Sequence, residues 1–205
     1  MNSGTRTLGA ARQAERFRSA YGAFAPPAPG RAGELGRRRG QAVHALLGRR
    51  SYGRVWAPDC ADEELAALLA RLAAHLRVTS GRPDVLARIG QRCAHMANVV
   101  VDSGASAPAA VQSAFDLIVI SHLDSLRHAA DIVRAAATLA RALAPRGELI
   151  AVHPRGYAGA PTAEGGRGAR ILHVDAVHHL LLEHLPLEWR AGHRDGEFRL
   201  DAWVR

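Results

Sequence analysis

Short apolar runs alternate with amphipathic helical segments along most of this chain. The apolar runs predict strands because each has at most six residues and is bounded by turn residues. They cover Val55–Ala57, Leu76–Thr79, Asn98–Val101, Asp116–Ser121 and Leu149–His153. Strands that alternate with helices are typical of βαβ units, so these five strands are expected to be parallel neighbours in one sheet.

Helical periodicity separates the predicted strands. The clearest helix is expected over Asp62–His75, where an acidic first turn complements the helix dipole and four leucines share one face. The other predicted helices cover Glu34–Leu47, Pro83–Arg92, Ala129–Leu143 and Asp175–His184. Asp175 is expected to act as the N-cap of the last of these helices. A turn around Pro145 and Gly147 is expected to separate the fourth helix from the fifth strand.

The C-terminal region changes pattern. A glycine-rich loop over Gly156–Gly168 is expected before the last helix, and two alternating runs, Leu187–Ala191 and Phe198–Val204, flank Asp195-Gly196. An Asp-Gly pair between alternating runs predicts a β-hairpin. The predicted fold is therefore α/β, with a mostly parallel sheet and an antiparallel C-terminal hairpin. Residues 1–33 are small, polar and proline-rich and are expected to form a mobile tail or cap, with one domain over residues 34–205.

The composition of the chain limits which partners and which cellular compartment are expected. The chain has 205 residues and a net charge of +8, and all 27 basic residues are arginine. In an alanine-rich chain this indicates a compositional bias rather than a nucleic-acid surface, so Arg37–Arg39 are interpreted as a solvated helix face. No apolar stretch is long enough for a membrane span, the first residues lack the apolar core of a secretory signal, and two cysteines form no disulfide framework. A cytoplasmic protein is expected.

Three passages carry a resemblance to a known family. They are the segment from Arg49 to Cys93, the segment FDLIVISHLDSL at 115–126, and the C-terminal segments AVHPR, VDAVHHLL and FRLDAWVR. Together they resemble class I S-adenosylmethionine-dependent methyltransferases, and within that group the nodulation-protein-S type, which is associated with N-methylation of an amino sugar. The resemblance implies a Rossmann-like sheet of seven strands, S-adenosylmethionine as cofactor and a small-molecule acceptor.

The resemblance also implies which positions face the cofactor. These are Ala57, Asp59, Ala61, Ser80, Gly81, Asp102, Ser103 and Ser121. The family's glycine-rich turn falls on Asp59, Ala61 and Glu63, and its acidic ribose ligand falls on Ser80, so the chain departs from the pattern at both places. We expect these departures to weaken cofactor binding by at least about 3 kcal/mol.

Two histidines are the candidate catalytic residues. His122 and His153 follow the ends of the fourth and fifth predicted strands, at the edge where open α/β sheets bind ligands. A neutral histidine there could accept a proton from an amine as it attacks the methyl group, in which case activity should fall below about pH 6.5. Cys60 is expected to be a small buried residue, and the three tryptophans are expected to be sheet-packing residues.

The histidines at 173, 178, 179 and 184 lack the spacing of a metal site, so no metal is expected. Two functional hypotheses remain open. One is a working methyltransferase that modifies a small molecule of the amino-sugar type. The other is a catalytically inactive protein of the same fold that has lost S-adenosylmethionine binding and acts as a partner or regulator of another protein.

Overall fold

The computed structural model describes residues 29–103, 113–122, 128–155 and 173–205. The chain divides into two units, Met1–Ala32 and Gly33–Arg205, and the candidate site residues all lie in the second. The expected tail up to residue 28 and the expected loop Gly156–Gly168 lie outside the described residues. No helix in the described part of the chain is long and apolar enough to cross a membrane.

Helices and strands alternate through the second unit. The helices are α1 (Pro29–Leu46), α2 (Glu63–Leu72), α3 (Pro83–Arg92), α4 (Ala129–Ala142) and α5 (Val174–His184). The strands are β1 (Tyr52–Ala57), β2 (Ala73–Ser80), β3 (Val99–Ser103), β4 (Phe115–Ile120), β5 (Leu143–Pro154), β6 (Glu188–Arg194) and β7 (Phe198–Val204). Helix α1 begins at Pro29, five residues before the expected start.

All seven strands form one sheet in the order β3-β2-β1-β4-β5-β7-β6. The pairs within β1 to β5 are parallel, and β7 pairs antiparallel with both β5 and β6. This confirms the predicted α/β fold, with an antiparallel C-terminal hairpin on a mostly parallel sheet. The order reverses between β1 and β4, because β2 and β3 lie on one side of β1 whereas the later strands lie on the other.

A hydrophobic core covers each face of the sheet. In β4, Leu117 and Val119 belong to the core formed with α1, α2 and α3, whereas Ile118 and Ile120 belong to the core formed with α4 and α5. Alternate side chains of a strand point to opposite faces, so a strand covered on both sides is apolar throughout. Trp56 and Trp203 are buried in the second core. The prediction was wrong for Trp189, which is 50% exposed because β6 is an edge strand.

The junction of α2 and β2 differs from the prediction. The helix ends at Leu72 instead of His75, and β2 begins at the next residue. The side chain of Asn98 donates hydrogen bonds to the carbonyls of Ala70 and Ala73, both at 2.8 Å. These bonds satisfy carbonyls at the helix end, while Ala73 pairs with Tyr52 in the sheet. Tertiary pairing therefore outweighs the helix propensity of alanine here.

Strand β5 also differs from the prediction, because the segment around Pro145 and Gly147 does not separate it from α4. The strand begins at Leu143, and its register against β4 shifts between Phe115 and Leu117. Arg146 lies within the irregularity with a φ of 60°. Its N–H donates to the carbonyl of Arg205, and the N–H of Arg205 donates to the carbonyl of Gly147, both at 3.0 Å. The predicted turn is thus a bulge held by the C-terminal residue.

The N-cap of α5 also differs from the prediction. His173, not Asp175, is the N-cap, and its ring accepts the N–H of Asp175 at 3.3 Å. The Asp175 carboxylate instead receives three arginine side chains, Arg155, Arg194 and Arg199, at 3.1, 3.0 and 3.4 Å. These ion pairs tie α5 to the end of β5 and to the hairpin.

Candidate functional site

The predicted cofactor positions meet at one edge of the sheet. Ala57, Ser80 and Ser103 are the last residues of β1, β2 and β3, and Ser121 directly follows β4. Parallel strands place their carboxyl ends at the same edge, and the strand order reverses between β1 and β4. Open α/β sheets bind ligands at such a reversal. The fold therefore brings these four positions to the edge of the sheet where such folds bind ligands.

The loop after β1 makes its turn without the glycines of the family pattern. Asp59 adopts a φ of 50°, a left-handed conformation that glycine usually supplies and that aspartate tolerates better than most residues. The side chain of Asp59 is buried, as is that of Ala57. The N–H of Cys60 donates to the carbonyl of Thr79 at 3.2 Å, which fixes the loop against β2.

Side chains already satisfy several amides at the start of α2. Asp62 is the N-cap and accepts the N–H groups of Glu64 and Leu65 at 3.1 and 3.0 Å. The N–H of Ala61, in the preceding loop, donates to Nδ1 of His122 at 3.2 Å. The helix N-terminus in this structure therefore offers fewer unpaired amides to a ligand than a glycine-rich loop would.

Arg39 corrects the interpretation of Arg37–Arg39 as a solvated face. Its side chain is buried, with the residue 8% exposed, and it forms an ion pair with Asp62. Its Nε has no hydrogen-bond partner among the described residues. Sequence reasoning missed it although a signal existed: Leu35, Arg39 and Val43 recur at intervals of four and so share the inward face of α1.

The ends of β2 and β3 offer fewer ligands. Ser80 is buried, and its Oγ accepts the N–H of Arg82 at 3.3 Å. Gly81 has open space where a side chain would project. Asp102 is partly exposed, and its carboxylate lies 2.9 Å from Nε of Arg77, close enough for an ion pair but not aligned as a hydrogen bond. Ser103 is exposed at the end of β3.

His122 lies at the centre of the edge and holds two elements together. Its Nδ1 lies 3.0 Å from Oγ of Ser121 and also receives the N–H of Ala61. Because an N–H must donate, Nδ1 is the acceptor, and a neutral His122 carries its proton on Nε2. The nearby thiol of Cys60 is fully buried, as expected, and burial raises its pKa to about 11, so it remains protonated at neutral pH.

His153 is fully buried near the end of β5 and is the first member of a chain of polar side chains. Its Nδ1 lies 2.9 Å from Nε2 of His178, and Nδ1 of His178 lies 2.6 Å from Oδ2 of Asp201. Asp201 also accepts Nε1–H of Trp189 at 3.1 Å and Nε–H of Arg199 at 2.9 Å. The Nε2 atom of His153 is buried and has no hydrogen-bond partner among the described residues.

Burial controls the charge of this chain. It lowers the pKa of His153 well below the usual range; Arg39 and any protonation of His178 or His122 lower the pKa further, whereas the backbone of His122 opposes the shift. Burial also lowers the pKa of His178, and the carboxylate of Asp201 only partly offsets it. Burial alone would raise the pKa of Asp201, but His178, Trp189 and Arg199 outweigh it and lower the value. The arrangement at neutral pH is a carboxylate beside two neutral histidines.

His178 and Asp201 were not among the predicted site residues. His178 lies on the buried face of α5 with Val174, Val177 and Leu181, and a histidine among apolar residues at that spacing was the available signal. Asp201 interrupts the otherwise apolar strand β7 in the same way. Within the described ranges, no group of three or more His, Cys, Asp or Glu side chains is placed to hold a metal ion.

Comparison with solved structures places this geometry among known proteins. A protein of Pseudomonas syringae assigned as a methyltransferase is 31% identical, with a TM-score of 0.68, covering 82% of this chain and 97% of its own. The N-methyltransferase NodS of Bradyrhizobium japonicum WM9 is 20% identical, with a TM-score of 0.63, covering 82% of this chain and 94% of its own. The same enzyme has been solved with S-adenosylhomocysteine.

No protein-family model and no curated protein matches the sequence. The Pseudomonas relative nevertheless shares sequence and fold over 97% of its own length. This chain belongs to the class I S-adenosylmethionine-dependent methyltransferases.

Proposed function

We propose that this protein transfers the methyl group of S-adenosylmethionine to a nitrogen or oxygen atom of a small molecule. The observation that carries the proposal is Nε2 of His153, which is buried near the carboxyl end of β5 and has no hydrogen-bond partner among the described residues. A buried polar atom normally has a hydrogen-bond partner, so an unpaired one at the carboxyl end of a central strand supports a role with a ligand.

The charged end of the cofactor fits the side chains at the start of α2. S-adenosylmethionine carries a carboxylate, an ammonium group and a methyl-bearing sulfonium. The buried Arg39, whose Nε is unpartnered, would hold the carboxylate, and the carboxylates of Asp59 and Asp62 would attract the two positive groups. Ser80 would offer the ribose one hydroxyl in place of a carboxylate, and Asp102 would approach the adenine. The fit is good in charge and weaker at the ribose.

The bound cofactor supplies a methyl group on a positively charged sulfur. The protein contributes by holding the acceptor in line with that methyl group and by removing a proton. As the acceptor atom bonds to the methyl carbon, the bond from that carbon to sulfur would break and S-adenosylhomocysteine would leave, while the acceptor's proton would pass to Nε2 of His153. Alignment provides most of the acceleration, and proton removal contributes about 10²–10⁴ more. His122 instead keeps the β1 loop in place through Ala61.

An amine acceptor, such as an amino sugar, is the first candidate. Its support is the resemblance of three passages to the nodulation-protein-S type and the likeness in fold to an enzyme described as an N-methyltransferase. A neutral base suits such an acceptor, since an amine must lose one proton to become a methylated neutral amine. The cytoplasmic setting expected from the cysteines is part of the same proposal.

Titration calorimetry with S-adenosylmethionine and S-adenosylhomocysteine tests the cofactor step. We expect binding by the wild type and at least about tenfold weaker binding by Arg39→Gln, because the variant loses a charge-assisted contact to the carboxylate. Arg38→Gln is the matched control, since Arg38 is the exposed neighbour that pairs with Asp195 and Glu197. A thermal melt establishes that both variants fold. Wild-type protein that binds neither compound at millimolar concentration would overturn the proposal.

One observation favours the second candidate, an inactive methyltransferase-fold partner of another protein. The amide of Ala61 is already bound to His122, and Ser80 replaces the acidic ribose ligand. The same calorimetry separates the candidates, because the inactive partner binds neither compound. Low-micromolar affinity would eliminate it.

A further inference from the structure

The strongest unexplained feature is the direction of the hydrogen bonds that join Asp201, His178 and His153. The three side chains come from β7, α5 and β5, and they are buried together. The two contacts between them, at 2.6 and 2.9 Å, are short enough to be hydrogen bonds. Each bond needs one donor and one acceptor, so the chemistry of Asp201 decides the protonation of both rings.

Asp201 is ionised and can only accept. Nδ1 of His178 therefore carries the proton that it donates to Oδ2, and a neutral His178 then has its lone pair on Nε2. That lone pair accepts the proton on Nδ1 of His153. A neutral His153 consequently has its lone pair on Nε2, the buried atom that has no hydrogen-bond partner among the described residues. The order of protons is fixed from the carboxylate outward.

The alternative is a doubly protonated His178, which would reverse the second bond and place a proton on Nε2 of His153. Burial opposes this state because it lowers the pKa of His178. Titratable groups of both signs surround the two rings. They are Asp201 and Arg199 on β7, Asp175 on α5, Arg39 on α1 and His122 after β4. Asp201 is paired with Arg199 as well as with His178, which limits its pull on the His178 proton.

We propose that Asp201 and His178 are positioning residues that hold His153 as a neutral base with its lone pair on Nε2, directed to a proton of the methyl acceptor. This rests on the proposed methyltransferase function. It adds a requirement on the substrate class, because the acceptor atom must reach His153 as a hydrogen-bond donor, as a hydroxyl or an amine does and a thioether or tertiary amine does not. A carboxylate that sets the tautomer of a histidine base has a well-known parallel in serine proteases.

Asp201→Leu is the decisive variant because it keeps the branched shape and removes the acceptor. An asparagine would not test the proposal, since Oδ2 accepts from Arg199 as well as from His178 and an amide oxygen could take its place. In Asp201→Leu the proton on Nδ1 of His178 has no acceptor, so His178 is no longer held in one tautomer. His153, which donates to His178, is then expected to populate both tautomers. Asp175→Asn is the matched control, since Asp175 also pairs with Arg199 but makes no hydrogen bond to either ring.

The measurement is nitrogen-15 NMR of the histidine rings at pH 7.5 in the wild type, Asp201→Leu and Asp175→Asn, without any acceptor. We expect His153 to carry its proton on Nδ1 in the wild type and the control, and to populate both tautomers in Asp201→Leu. A proton on Nε2 in the wild type, or a single unchanged tautomer in Asp201→Leu, overturns the proposal. His153→Gln identifies the His153 resonance, and thermal melts establish folding.

Calorimetry with S-adenosylhomocysteine on the same samples separates this inference from the proposed function. Binding should be within about twofold in all three proteins, because none of the changed residues holds the cofactor. Failure of the wild type to bind would defeat the methyltransferase proposal and leave the tautomer result standing as a structural fact. Where turnover is measured, Asp201→Leu should lower kcat by about 10²-fold or more without raising KM for S-adenosylmethionine.

Discussion

At the scale of single residues, the structure separates two histidines that look equivalent in the sequence. His122 uses Nδ1 to accept the amide of Ala61, so it stabilises the loop, whereas Nε2 of His153 has no hydrogen-bond partner in the described part of the chain. The expected limit of activity near pH 6.5 also changes. Burial lowers the pKa of His153 well below that value, so the base remains deprotonated in weakly acidic solution.

The first prediction concerns activity. Methyl transfer should stay nearly constant from pH 8 to about pH 6.5 and fall only at lower pH, because His153 is protonated only there. His153→Gln should lower turnover by about 10²–10⁴. The measurement is kcat against pH with S-adenosylhomocysteine as the detected product, and His184→Gln, at the partly exposed end of α5, serves as control. An acid limb centred at or above pH 6.5 would contradict the prediction.

The second prediction concerns stability. A histidine whose pKa is lowered on folding binds fewer protons in the folded state, so the free energy of unfolding decreases as the pH falls below the unfolded value of about 6.5. His153 and His178 both follow this rule. Between pH 7.5 and pH 5.5, each of these two histidines should lower the free energy of unfolding by up to about 1.4 kcal/mol. Denaturant unfolding at the two pH values measures the loss.

The control for stability is His184→Gln, at the partly exposed end of α5. That variant should keep the full pH dependence, whereas His178→Gln should lose about half of it. The carboxylate of Asp201 contributes in a different range: its lowered pKa adds stability that is lost only below about pH 4. Equal unfolding free energies at pH 7.5 and 5.5 would refute the prediction.

At the scale of elements, irregularities are held by residues distant in the sequence. The side chain of Asn98 binds the carbonyl of Ala73 at the end of α2, although the two residues are 25 positions apart in the sequence. Arg205 holds the bulge at the start of β5. Neither contact leaves a pattern within the segment that it shapes. A sequence window around His75 or Pro145 contains only local propensity, which favours a longer helix in one place and a turn in the other.

The third prediction is made for Gly147, within that bulge. A Cβ added there would lie 2.8 Å from the carbonyl oxygen of Ala144 and 2.8 Å from Cγ of Leu143. Gly147→Ala should therefore lower the free energy of unfolding by about 1–3 kcal/mol. Gly90→Ala is the matched control in α3, where a Cβ meets nothing within 4 Å, and it should raise stability by about 0.5–1 kcal/mol. Chemical denaturation measures both, and a neutral Gly147→Ala would show that the bulge relaxes.

At the scale of the whole molecule, the sheet brings separate segments to one edge. Ser80 and Ser103 are direct partners in neighbouring strands, and Ala57 and Ser121 end the two strands at the reversal. The edge retains the arrangement of the family but lacks its acidic ribose ligand. Of the two departures from the family pattern, the one at Ser80 can be reversed by a single substitution.

The fourth prediction reverses it. Ser80→Asp places a carboxylate where the resemblance implies a ribose ligand, and S-adenosylhomocysteine affinity should rise by about ten- to a hundredfold because two charge-assisted hydrogen bonds become available. Ser103→Asp, one strand further along the same edge, is the control and should change affinity little. Calorimetry measures both. No gain in Ser80→Asp would mean that the ligand approaches the edge by another route.

The sequence by itself determined the fold class, because two-sided burial makes each central strand apolar along its length and the alternation with helices allows few topologies. It also located the ligand edge, since that edge is where the strands end. Only the tertiary structure decided which polar side chains act together. His153, His178 and Asp201 lie 25 and 23 residues apart and meet because β7 pairs with β5 beneath α5. Arg39 reaches Asp62 in the same way. Periodicity records which face a residue occupies, whereas hydrogen bonding depends on distances between elements that no local pattern contains.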